Sequence, residues 1–150
     1  MLEKYLELLQ ALHEARIRYL VIGGFAAIMH GIPRFTKDLD LAIIPDLQTC
    51  AGILTVLKSL RFGTAYLTTP EDFAKSKITI FEDYLRLDVL TEVPGLDFEA
   101  AWLRREVAYV KEVPVNLVCL DDLIALKAAA GRKIDLEGLE YLERIRAGKF

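Results

Sequence analysis

Tyr19-Leu20-Val21-Ile22-Gly23-Gly24-Phe25-Ala26-Ala27-Ile28-Met29-His30 decides how the chain is organised. A β-rich run ends abruptly at two glycines, and a small-residue helical segment follows, so the stretch reads as strand, tight turn, helix. Gly31 and Pro33 stop that helix, and Asp38-Leu39-Asp40-Leu41-Ala42-Ile43-Ile44 begins a second strand closed by Pro45. Before this unit, Leu2, Leu6, Leu8, Leu9 and Leu12 recur at helical spacing to about Ala15. After it, Asp46 caps a predicted helix from Leu47 to Leu60. A strand around 64–67 and a short helix led by Thr69-Pro70 come next. Lys77–Phe81 and Leu85–Leu90 read as a hairpin, and Leu96–Arg104 as a helix. A strand pair, 106–111 and 115–119, is expected to turn around Val113-Pro114. The chain then closes in a helical pair, 121–130 and 135–146, with Gly131 as the stop between them. No linker or repeat interrupts the pattern, so residues 1–150 are expected to form one α/β (α+β) domain with a mixed sheet flanked by helices.

Composition narrows the function classes. Of 150 residues, 53% are hydrophobic, and 19 basic against 22 acidic side chains give a net charge of −3. That balance argues against a protein that coats nucleic acid through bulk charge. Cys50 and Cys119 lie far apart in apolar runs, and the two histidines, His13 and His30, have no ligand spacing, which argues against zinc. Both thiols read as small buried hydrophobes, consistent with a reducing, cytoplasmic setting. The stretch Tyr19–Pro33 is too short and too rich in glycine for a membrane span, and the first ten residues have a helix pattern rather than that of a signal peptide.

The chemistry lies in the acids. Strand alternation puts Leu39, Leu41 and Ile43 on one face and Asp38, Asp40, Ala42 and Ile44 on the other. Two like charges so placed gain from a bound cation, and oxygen ligands without histidine or thiolate favour magnesium or manganese. The run Leu85-Arg86-Leu87-Asp88-Val89-Leu90 repeats the arrangement, so Asp88 completes a triad if the two strands are neighbours. A competing reading makes Asp38 and Asp40 a solvated strand edge, and Asp88 a surface acid beside Arg86. The Gly23-Gly24 turn ahead of the acids weighs against it, because exposed backbone N–H groups there can hold phosphate.

Taken together, Ile22-Gly23-Gly24, Asp38-Leu39-Asp40-Leu41 and Leu87-Asp88-Val89 resemble the signature of the polymerase-β-like nucleotidyltransferase superfamily. Within it, the chain is most similar to a bacterial branch that includes the AbiEii-like proteins, some of them toxins of toxin-antitoxin pairs. Gly31, Arg34 and Thr36 match the branch's spacer. Leu123-Ile124-Ala125-Leu126-Lys127, followed by Ala130-Gly131-Arg132 and Asp135, matches its C-terminal helices. The likeness runs from about Tyr19 to Leu142. It departs at Gly138, where the branch usually has an acid, and no appended acceptor-binding domain is expected.

The resemblance implies transfer of an NMP from an NTP to an acceptor hydroxyl. Asp38, Asp40 and Asp88 would act as metal ligands and catalytic acids, while Gly23, Gly24, Arg34, Thr36 and Lys127 would contact phosphate. The acceptor implied is a small molecule, a tRNA end or a protein, and a partner protein or a homo-oligomer would complete its recognition. Phe98, Trp102 and Tyr109 are candidates for base stacking or for core. Two other classes stay open: a non-catalytic nucleotide-binding or regulatory module of a toxin-antitoxin pair, and a purely structural interaction domain. Neither a GxxxxGK[ST] loop nor a GxGxxG fingerprint is present.

Overall fold

A computed structural model describes residues 2–33 and 35–148. In chain order the elements are α1 (Leu2–Glu14), β1 (Leu20–Ile22), α2 (Gly23–Met29), β2 (Asp38–Ala42), α3 (Leu47–Ser59), a 3₁₀ turn (Gly63–Leu67), α4 (Pro70–Lys75), β3 (Ile78–Glu82), β4 (Arg86–Leu90), α5 (Phe98–Leu103), β5 (Glu106–Val110), β6 (Val113–Leu117), α6 (Leu120–Ala130) and α7 (Lys133–Arg146). The strands form one six-stranded mixed sheet in the order β3-β4-β2-β1-β6-β5. Pairs β1–β2, β3–β4 and β5–β6 are antiparallel, whereas β2–β4 and β1–β6 are parallel. The parallel pairs need long crossovers, which α3, α4 and β3 supply between β2 and β4 and residues 23–112 supply between β1 and β6.

Alternation divides the strands into two faces. Leu39, Leu41, Leu87, Val89 and Phe81 lie on one face and are buried. Phe73 from α4 meets Phe81 edge-on at 5.4 Å between ring centroids, which pins this helix over β3. The other face carries three rows across the sheet. Asp38, Arg86 and Glu82 form the first; Ile22, Asp40, Asp88 and Ile80 the second; Leu20, Ala42, Leu90 and Ile78 the third.

Local caps match the expectations. Asp46 accepts from the Thr49 N–H at 2.6 Å, Thr69 from the Asp72 N–H at 3.1 Å, and Gly131 ends α6 at φ +65°. Two local expectations are corrected. Residues 63–67 form a 3₁₀ turn rather than a strand, because no neighbouring strand takes their hydrogen bonds and Asp83 binds the Thr64 N–H and hydroxyl. The β5–β6 turn falls at Lys111-Glu112, both at positive φ, and Val113-Pro114 are inside β6. Pro114 is tolerated because β1 reaches β6 only at Leu117, which leaves this part of the strand paired on one side. Among the described residues no helix is long and apolar enough to cross a membrane.

Candidate functional site

The second row places the acids. Asp40 and Asp88 are direct partners on adjacent parallel strands, and Asp38 faces Arg86 one pleat away. The antiparallel neighbour of Asp40 is Ile22, so the chain leaves β1 and enters α2 at Gly23, directly against Asp40. Gly23 has φ +68°, and a Cβ there would stand 2.1 Å from Asp40 Oδ2. Glycine is required twice at this position, by the left-handed backbone and by the close approach. Gly24 is similarly confined, since a Cβ on it would lie 2.8 Å from Thr36 Oγ1. Thr36 in turn reaches the Asp38 carbonyl at 3.5 Å. The two glycines are the first residues of α2 itself rather than a turn ahead of it.

Ile22, Gly23, Asp38, Asp40, Arg86, Asp88, Lys127, Arg132 and Asp135 all line one cleft of about 490 Å³. Lys127 points into this cleft: it is 8% exposed, and its Nζ lies 3.5 Å from Asp135 Oδ1. Sequence alone left open whether it would snorkel to solvent instead. Arg34 lies outside the described residues. Phe98 and Trp102 stack 14° from parallel beneath Arg18, away from this cleft, and Tyr109 is exposed on the edge strand β5.

Electrostatics make the cleft short of positive charge beside the acids. Burial, then the Asp88 charge, then that of Asp38 push the Asp40 carboxyl up to about 7. Arg86 answers part of that demand. Its Nε lies 3.0 Å from Asp88 Oδ1, one Nη 3.3 Å from Asp88 Oδ2, and Nε is 3.8 Å from Asp38 Oδ2. A guanidinium thus sits between the first and third acids. Among the described residues no group of three or more His, Cys, Asp or Glu side chains is placed to hold a metal ion. The donor set itself, carboxylate oxygens only, suits magnesium or manganese.

Two residues of the cleft, Arg86 and Asp135, are named from the sequence without a role in the site. Arg86 was visible only as a neighbour of Asp88, and its bidentate grip depends on both residues sharing a pleat face. Asp135, 2% exposed, receives Arg132 Nε at 2.5 Å and Nη at 3.2 Å as well as Lys127. The Arg132 hydrogen bond is the main reason its carboxyl stays below the usual range.

A helix that begins on two glycines, the first pressed against a strand acid whose register partner is a second acid, is the arrangement that the sequence resemblance to nucleotidyltransferases leads one to expect. The match to a family model agrees: residues 1–149 match the family described as nucleotidyl transferase of unknown function (DUF2204), and the chain belongs to it. No curated protein matches the chain.

Proposed function

We propose that the chain moves an NMP from an NTP to an acceptor hydroxyl with release of pyrophosphate, using magnesium or manganese at Asp38, Asp40 and Asp88. The observation that carries this reading is the in-register Asp40–Asp88 pair with Asp38 on the same face, backed by Gly23 at Asp40. The bound metal would neutralise phosphate charge and favour the ionised form of the acceptor hydroxyl. The acceptor oxygen forms a bond to the α-phosphorus while the bond to the β-bridging oxygen breaks, and pyrophosphate leaves with that electron pair. Asp88, 7% exposed and between Asp40 and Ile80 in the second row, accepts the proton of the hydroxyl. Backbone N–H groups of Gly23 and Gly24, with Thr36, Arg34 and Lys127, hold phosphate oxygens.

The test is incubation with each α-labelled NTP, magnesium and cell extract, with Asp40→Asn alongside. A labelled product that disappears with Asp40→Asn is the expected outcome, and labelling that survives the substitution refutes the reading. One observation favours a second reading, a non-catalytic nucleotide-binding module of the toxin-antitoxin kind: Arg86 already satisfies Asp88. That reading predicts NTP binding with no release of pyrophosphate.

A further inference from the structure

We propose that Asp135 is a positioning residue that locks Lys127 and Arg132 into a cationic wall for the polyphosphate tail of the nucleotide. The inference rests on the nucleotide reading of the cleft and adds Arg132 and Asp135 to it. Gly131 closes α6 in the left-handed conformation, Arg132 caps α7 in extended backbone, and Asp135 falls in that helix's first turn. The turn thus brings a cation from the end of α6 and a cation from the cap of α7 onto one carboxylate. Asp135 uses both oxygens: Oδ2 takes Arg132 Nε, and Oδ1 takes Arg132 Nη and Lys127 Nζ.

The resulting wall is incompletely compensated. Two cations share one carboxylate, which leaves one positive charge in excess. The ammonium has three N–H donors, and the guanidinium keeps donors that Asp135 does not use. Neither cation bonds directly to the acids opposite, Asp38, Asp40 and Asp88, and the remaining charged group of the cleft, Arg86, is turned toward those acids. A Cβ on Gly138 would lie only 3.9 Å from Lys127 Cε. Because this position is glycine, the next turn of α7 brings no second carboxylate to the lysine stem. An anion between the two walls meets spare donors on one side and, on the other, acids able to share a cation with it. Polyphosphate has that charge, and Arg with Lys is a donor pair suited to it.

The position of Asp135 makes the proposal testable by sign. Removing a negative charge from a simple electrostatic site tightens anion binding, whereas removing the residue that aims two cations weakens it. The measurement is calorimetric titration of the full chain with inorganic tripolyphosphate in EDTA, with melting curves for each variant. Arg132→Gln alters a side chain that is 73% exposed, so it tests the wall without threatening the core. It is expected to raise Kd about tenfold, as loss of a charge-assisted hydrogen bond does. Asp135→Asn is expected to raise Kd by a similar or larger factor, and Asp135→Glu to restore part of the affinity. In a Lys127→Gln/Arg132→Gln background, Asp135→Asn should no longer weaken binding.

Unchanged or tighter binding with Asp135→Asn, or no change with Arg132→Gln, overturns the proposal. Weakening by Asp135→Asn that persists in the double-Gln background also overturns it, because the loss is then structural. Transfer activity is read separately. A chain that binds tripolyphosphate through Arg132 but releases no pyrophosphate refutes the transferase reading and keeps the wall; active transfer with binding indifferent to Arg132 does the reverse.

Discussion

Asp40→Asn should stabilise the metal-free protein at alkaline pH while abolishing its proposed activity. An acid whose folded pKa is above its unfolded value holds its proton more tightly in the native state. Native stability therefore falls as pH rises from the ordinary value of 3.8 to about 7, and is flat in this term above that window. At about 1.4 kcal/mol per unit, the gap corresponds to ~4 kcal/mol across the window, with nearly 3 kcal/mol of it between pH 5 and pH 8. Asparagine keeps the shape of the side chain and removes the charge that burial and Asp88 oppose. The difference between variant and wild type should be small near pH 4 and grow to a few kcal/mol at pH 8, roughly 5–10 °C in Tm for a chain of this size. Urea unfolding in EDTA at several pH values between 4 and 8 reads it, since the titrating groups that do not interact with Asp40 cancel in the difference and only its neighbours Asp38 and Asp88 titrate with it. Parallel pH profiles for the two proteins would refute the assignment of a raised pKa to Asp40. Adding magnesium at pH 8 should recover stability in the wild type and much less in the variant, because the ion supplies the charge that the acids lack.

Other substitutions probe the same geometry. Gly23→Ala has to adopt φ +68° and displace Asp40 Oδ2 from 2.1 Å, so a stability loss of at least about 1–2 kcal/mol and a larger loss of transfer are expected, read by melting and pyrophosphate release. Arg86→Met removes the guanidinium that competes for Asp88; manganese should bind about tenfold more tightly by electron paramagnetic resonance, and unchanged affinity would exclude that competition. Phe81→Ala empties a fully packed site against Phe73 and should cost about 3–5 kcal/mol in urea unfolding while leaving tripolyphosphate affinity intact.

Much of the architecture was legible because it is written in short-range chemistry. Asp46 and Thr69 cap helices through their own side chains, and Gly131 stops α6 through its φ; these depend on a few neighbouring residues. The failures have long-range causes. Residues 64–67 have β composition, yet a strand needs a neighbour, and these bind Asp83 instead. Pro114 looked like a turn because a central strand cannot use it, but β6 is flanked on only one side at that point.

The same division holds at the site. By itself the sequence determined that Asp38 and Asp40 share a strand face, that Arg86 and Asp88 share another, and that Gly23-Gly24 interrupts the chain ahead of them, because a period of two and the freedom of glycine are properties of the local backbone. Only the tertiary structure decided that β4 lies beside β2 in the register that pairs Asp40 with Asp88, and that α6 and α7 turn Lys127, Arg132 and Asp135 into the same cleft. Strand order and helix docking follow from burying the Leu39, Leu41, Leu87, Val89 and Phe81 face, a cooperative choice spread over residues more than forty positions apart.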